Sequence, residues 1–188
     1  YNHIKNVIRL KAGDEVMVSV RSSQIGEKSC NFMCELAEYT DSDVVFDITD
    51  KDALDTELPC QVILYQGLPK SDKLELIIQK AVELGAVQIV PVAMKRCVVK
   101  LDDKKAAAKL PRWNAISESA AKQSKRSIIP KVRPVMSYAA ALNEAAKCDI
   151  SFVPYENEKG MAETRRLVSS ISAGNTVAVF IGPEGGFE

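Results

Sequence analysis

Apolar and polar residues alternate in short runs over the first 58 positions, and the rhythm changes at Cys60. The pattern predicts strands at residues 15–20, 32–39 and 44–48, separated by the polar stretches SSQIGEKS and TDSD, with no convincing helical stretch. Short strands spaced in this way suggest a small all-β barrel or sandwich. The acidic run DKDALDTEL, residues 50–58, ends before Pro59 and reads as a linker. The expected organisation is a β domain over residues 1–58 and a second domain over residues 59–188.

The second region opens with QVILY, a continuous apolar strand, and SDKLELIIQKAVELG, an amphipathic helix. Leu74, Ile77, Ile78, Ala81 and Val82 fall on one helical face. Asp72 followed three residues later by Glu75 predicts a capping box, and Gly85 stands where the helix should stop. Strands are then expected at residues 88–93, 131–135, 150–153 and 176–181, and helices at residues 111–125, 138–146 and 161–170. Strict alternation of this kind implies an α/β domain, with a mostly parallel sheet covered by helices on both faces.

Composition narrows the function classes. Of the 188 residues, 46% are hydrophobic and 27% charged, as in ordinary globular proteins. No apolar run approaches the roughly 18 residues of a membrane-spanning helix, and the opening YNHIKNVIRLKAGDE lacks the uncharged core of a secretory signal. Five scattered cysteines without a C-x-x-C pair, and a single His, argue against structural zinc; no metal site is expected, and a reducing cytoplasm fits. Cys30 and Cys34 share a strand face, either as packing residues or as a redox pair.

The net charge of zero hides an asymmetry. Residues 1–58 hold 6 Lys or Arg against 12 Asp or Glu, a net of −6, while residues 95–133 hold 12 against 3, a net of +9. A basic block this dense suits a polyanion such as nucleic acid, or else a solvated helix face. The last predicted strand runs into Gly182, Pro183, Glu184, Gly185 and Gly186. Ligands of open parallel sheets bind beyond the carboxyl ends of strands, where glycines let a ligand approach the backbone. The loop is neither a phosphate-binding P-loop nor a dinucleotide fingerprint. On its own it is equally an ordinary turn.

Several segments together carry a resemblance: HIKNVIRLKAGDEV, QGLPKSDKLELIIQKAVELGAVQIVPV, RCVVK, RWNAISESAAKQSKR with IPKV after it, and FIGPEGGFE. In this order, over nearly the whole chain, they resemble the ribosomal RNA small-subunit methyltransferase E family of the SPOUT class. The resemblance implies transfer of a methyl group from S-adenosylmethionine to N3 of a uridine in 16S ribosomal RNA. It also implies an N-terminal PUA-like, RNA-binding β-barrel, an α/β SPOUT domain with a C-terminal trefoil knot, and a cytoplasmic homodimer acting on 16S RNA or the small ribosomal subunit.

By position, the resemblance assigns Pro154, Tyr155 and Glu156, with Ile181, Gly182, Pro183, Glu184, Gly185 and Gly186, to the walls of the cofactor site. A further wall carrying Leu-Gly and Arg-Thr-Glu-Thr motifs is absent from the sequence, so the knot is expected to be incomplete here and full activity is not expected. Candidate RNA contacts are His3, Arg9, Lys70, Arg96, Lys100, Arg112, Gln123 and Arg126. Arg and Lys suit phosphates, and Arg and Gln can also read base edges.

For each of these contacts a structural or solvated role stands as the alternative. Trp113 is expected to pack in the core or to stack on a base, and Glu184 to bond the cofactor or a neighbouring loop. No residue is named as the proton acceptor from uracil N3. Rival functions are a SPOUT enzyme acting on another RNA such as transfer RNA, and a non-catalytic RNA-binding or ribosome-assembly protein.

Overall fold

The computed structural model describes residues 1–20, 30–51, 57–154 and 160–187, with only the backbone of Cys30. The chain divides into two compact units, Tyr1–Thr56 and Glu57–Glu188.

In the first unit, β1 (Glu15–Val20), β2 (Cys30–Tyr39) and β3 (Val44–Asp50) form an antiparallel sheet in that order. Such a sheet fits part of a small barrel. Asp14 shapes the entry to β1: its carboxylate accepts from the Lys11 amide, and Gly13 takes the left-handed turn position (φ 89°). The Tyr39 hydroxyl donates to the Leu10 carbonyl at 2.8 Å and ties the segment before β1 to the end of β2. Ahead of this lies a π-helical turn, His3–Ile8, which differs from the expectation of no helix in this region. None of its residues is buried, so no apolar periodicity marked it in the sequence. Cys34 is buried within β2, as a packing residue would be.

The second unit is built on β4 (Gln61–Gly67), β5 (Ala86–Ala93), β6 (Lys131–Val132), β8 (Ile150–Phe152) and β9 (Thr176–Ile181), with β7 (Met136–Ser137) beside the end of β5. The sheet order is β6-β5-β4-β9-β8 and every pairing is parallel. The expected strand at residues 131–135 is two short strands, both paired with β5.

Alternation along the strands feeds two cores. Leu64 and Ile89 face α1 (Lys73–Glu83) and α2 (Asp103–Gln123), where Leu74, Ile78, Val82, Trp113, Ala120 and Ala121 pack. Tyr65, Val90, Val92, Ala178 and Phe180 face α3 (Tyr138–Ala145) through Ala141 and Ala145. Fully burying side chains such as Ile78 and Val82 is worth roughly 1.5–3 kcal/mol each. Trp113 is 3% exposed, which answers the choice left open for it in favour of the core. The outer helix α4 (Ala162–Ser169) buries none of its residues.

Two helix starts differ from expectation. Asp72 does not cap α1, because it sits at φ −91°, ψ 13° after left-handed Ser71 (φ 55°) instead of in the extended conformation of an N-cap. The Glu75 carboxylate, freed from a capping box, pairs with Arg112 at 2.7 Å. The second helix begins at Asp103, eight residues before Pro111, because Asp102 is extended (ψ 160°) and accepts from the Lys105 amide at 2.8 Å. Pro111 therefore lies inside the helix rather than at its start. Beyond it, Asn114 bonds both backbone groups of Val132, and the Ser117 hydroxyl donates to the Pro130 carbonyl, fastening α2 to β6.

The stretch expected as a linker ends in a buried ion pair. Residues 52–56 lie outside those described, but the Glu57 carboxylate meets Arg126, their side chains 8% and 4% exposed. Glu57 also accepts from the Ser127 hydroxyl and the Ile128 amide, while Arg126 donates to the carbonyls of Val82 and Ala86. Those carbonyls flank the turn at Gly85, whose positive φ of 100° fits the helix stop read from the sequence.

Candidate functional site

Parallel strands β4 and β9 are neighbours in the second sheet, and the chain leaving β9 lies against the chain leaving β4 and the segment after β5. The carboxyl ends of strands are the usual place for a ligand in an open parallel sheet. Residues 182–186 emerge there.

The loop is held on several sides. A Cβ on Gly67 would lie 2.7 Å from both Cδ and N of Pro183, so only glycine at the end of β4 lets the loop backbone come this close. The Gly186 amide donates to the Pro183 carbonyl at 2.8 Å and closes the turn. The Phe187 ring packs beside Gly182 and Tyr138, adjoining the stack of Tyr65 on Phe180 at 4.7 Å. Arg96 donates to the Gly185 carbonyl at 3.2 Å.

Glu184 ties the loop to the start of α1. Its carboxylate accepts from the Lys70 amide at 3.1 and 3.2 Å and from the Lys73 ammonium at 3.1 Å. Bonds from its own amide, the Lys70 amide and the Lys73 ammonium hold its pKa below the usual glutamate range. The loop is thus fixed to the start of α1 and to the segment after β5. Among the described residues nothing lies within 4 Å of where a Gly186 Cβ would point.

Other residues singled out from the sequence are distributed more widely. Pro154 is exposed just past β8, whereas Tyr155 and Glu156 lie outside the described residues. Ile181 is 38% exposed at the end of β9. Lys70 is exposed beside the loop, and its ammonium has no ion pair among the described residues. Lys100 and Gln123 are exposed. Arg112 is exposed but engaged with Glu75, whose hydrogen bond raises its pKa. Arg126 is turned inward and occupied by Glu57 and two carbonyls, so its guanidinium is spent on the fold. In the first unit His3 is exposed on the π-helical turn, and Arg9 ends that turn in the left-handed conformation (φ 62°).

Three participants were not foreseen in these roles. Gly67 makes room for the loop, Lys73 holds Glu184, and the buried Gln66 amide donates to the Gly67 carbonyl at 2.9 Å and the Gly182 carbonyl at 3.5 Å. The signal was the pair Gln66-Gly67 closing an otherwise apolar strand, a polar residue and a missing side chain where packing would favour neither.

Among the described residues no group of three or more His, Cys, Asp or Glu could hold a metal ion, and no helix is long and apolar enough to cross a membrane.

A parallel sheet with a braced glycine loop at the carboxyl end of its strands agrees with the class found by comparison: residues 56–188 match the RNA methyltransferase domain family. A Bacillus subtilis protein named Ribosomal RNA small subunit methyltransferase E is 39% identical over 188 residues, spanning 98% of this chain and 71% of its own length. A protein of the same name from Mesomycoplasma hyopneumoniae is 33% identical over 128 residues, spanning 68% of this chain and 53% of its own length. The chain belongs to the ribosomal RNA small subunit methyltransferase E family. Among solved structures, a Neisseria gonorrhoeae Ribosomal RNA small subunit methyltransferase E bound to S-adenosylmethionine matches with a TM-score of 0.67 at 27% identity, covering 98% of this chain and 72% of that one. A structure of a protein described as hypothetical matches with a TM-score of 0.84 at 38% identity, covering 100% and 72% respectively.

Proposed function

We propose that this protein methylates N3 of a uridine in 16S ribosomal RNA, with S-adenosylmethionine bound against residues 182–186. The observation that carries the reading is the loop itself: it is braced at Gly67, Arg96, Lys70 and Lys73 and, among the described residues, open at Gly186, in a chain of this family. The open side of Gly186 suits a ligand that contacts backbone directly, which is the fit the cofactor requires. The other proposed walls are Ile181 with Pro154, Tyr155 and Glu156.

Bound cofactor supplies an electrophilic methyl group on a sulfonium. The chain's part is positioning. A loop already fixed in place spends little conformational entropy when its ligand arrives, and alignment of the reactants is the main demand of a displacement at carbon. Uracil N3 must also lose a proton. Lys70, whose backbone amide bonds Glu184 of the loop, carries the candidate cation to stabilise the resulting negative charge or to hold a neighbouring phosphate. Arg96, Lys100, Arg112 and Gln123 make up the proposed RNA surface of this unit, and His3 and Arg9 that of the first. Arg126 is left out because its guanidinium is already occupied.

The same reading takes the first sheet as part of a PUA-like barrel, the second unit as a SPOUT domain with a knotted C-terminal region, and the working form as a cytoplasmic homodimer. The test is methyl transfer by the full-length protein from isotopically labelled cofactor to unmodified small-subunit RNA, with the product nucleoside identified by mass spectrometry. The reading predicts N3-methyluridine. Label on another atom or only on transfer RNA overturns the proposed specificity, and no transfer by folded, cofactor-bound protein favours a non-catalytic RNA-binding role.

A further inference from the structure

The loop of residues 182–186 and the basic segment after β5 meet at Gly185 and Arg96, and the contact is charged on one side only. The Arg96 guanidinium donates to the Gly185 carbonyl at 3.2 Å. Beneath this bond the two chains are close: a Cβ on Gly185 would lie 3.1 Å from the Arg96 carbonyl oxygen and 3.2 Å from its Cβ. The segment that carries Arg96 has little freedom to give. The Cys97 amide donates to the Met94 carbonyl at 3.1 Å, and the Cys97 side chain is buried in the core shared by α1 and α2.

The guanidinium has capacity left. Lys73 and Arg112 are paired with Glu184 and Glu75, whereas Arg96 is exposed and has no carboxylate partner among the described residues. A guanidinium presents five N–H donors in a fixed planar fork. One neutral carbonyl occupies part of that fork and leaves the charge uncompensated. Lys95, Arg96 and Lys100 fall within six consecutive residues that hold no acidic group.

We propose that Arg96 couples the binding of RNA to that of the cofactor: it holds an RNA phosphate while keeping the Gly185 carbonyl, so that each ligand raises affinity for the other. The proposal rests on the reading given above, in which the loop binds the cofactor and this segment meets RNA. Phosphate oxygens suit the unused edge of the fork and compensate its charge. Both ligands require this long side chain and the loop beside it to be ordered, and the first to bind does so for the second. Linkage makes the effect reciprocal, with the same factor in both directions.

The test is the affinity of the full-length protein for S-adenosylhomocysteine, which has no methyl group to transfer. It is measured by calorimetry with and without a saturating small-subunit RNA fragment, at one fixed salt concentration. The parent should bind about fivefold or more tightly with RNA present. Arg96→Lys should bring that ratio below about twofold although RNA still binds, because an ammonium on a flexible stem lacks the fixed fork that serves two acceptors at once. Lys100→Ala removes a cation of the same segment that makes no bond to the loop among the described residues; it should weaken RNA binding and leave the ratio at the parent's value. A ratio of one in the parent, a parent-like ratio in Arg96→Lys, or an equal loss of the ratio in Lys100→Ala would overturn the proposal. A bond of purely structural value gives the second of these results, since its loss lowers cofactor affinity equally with and without RNA. No binding of S-adenosylhomocysteine, or of RNA, by the folded parent would instead remove the cofactor or the RNA reading, and this inference with it.

Discussion

Replacing Glu57 with Ala isolates the buried ion pair that closes the second unit. The substitution removes the counter-charge of Arg126, whose side chain is 4% exposed, and the acceptor used by the Ser127 hydroxyl and the Ile128 amide. Removing one partner of a buried pair costs about 3–5 kcal/mol. Summing the lost bonds gives the same scale: two donors of the guanidinium, one hydroxyl and one amide lose a partner, at about 1 kcal/mol each. The guanidinium keeps its bonds to Val82 and Ala86, which holds the cost within this range. Urea unfolding should show a fall of about 3–5 kcal/mol for Glu57→Ala, and the double variant Glu57→Ala/Arg126→Met should regain part of it because no unpaired charge remains. RNA affinity of folded Arg126→Met should stay within about twofold of the parent. A loss below about 1 kcal/mol for Glu57→Ala would refute the structural reading. So would Arg126→Met if it kept stability but lowered RNA affinity, with a salt slope reduced by about one.

Four further outcomes follow from local geometry. Asp102→Ala should cost about 1 kcal/mol in urea unfolding through loss of the α2 cap, whereas Asp72→Ala should cost much less because that carboxylate caps nothing. Gly67→Ala should collide with Pro183, costing about 1–3 kcal/mol and lowering cofactor affinity, measured by unfolding and by calorimetry together. Because the folded pKa of Glu184 is depressed, its bonds stabilise the loop fully above the ordinary glutamate pKa of about 4.3 and lose strength as pH falls through and below that range. Cofactor affinity should therefore be level from neutral pH to about 5 and decline below about 4, and in Glu184→Gln this acid-side decline should be smaller.

Much of the second unit was legible because its elements are periodic. The apolar run QVILY and the stripe from Leu74 to Val82 locate β4 and α1, and their alternation with later elements gives a parallel sheet covered on both faces. What misled was local chemistry that depends on backbone torsions. Asp72-x-x-Glu75 satisfies the letter of a capping box, but left-handed Ser71 prevents it, and Pro111 marks a helix start only when no better cap precedes it.

The glycine loop was visible as a motif, while its bracing was not. Gly67, Lys73 and Arg96 are more than 80 residues away in sequence and meet the loop only because β4, β5 and β9 are neighbours. Arg126 shows the limit of charge reading. A basic residue in a basic block looks like an RNA contact until its carboxylate partner, 69 residues earlier, is placed beside it.

The account's central claim is that the braced loop after β9 holds the cofactor. Its most direct test is calorimetric titration of S-adenosylmethionine into the full-length protein and into Gly185→Val. The added side chain would start 3.1 Å from the Arg96 carbonyl oxygen and 3.2 Å from its Cβ, and the branched methyls of Val add further crowding, so the loop or the Arg96 segment must give way by a few tenths of an ångström. The account predicts saturable binding by the parent and at least a tenfold weaker affinity in the variant, with the fold of both unchanged by circular dichroism. Equal affinity in the two, or no binding by the folded parent, would contradict it.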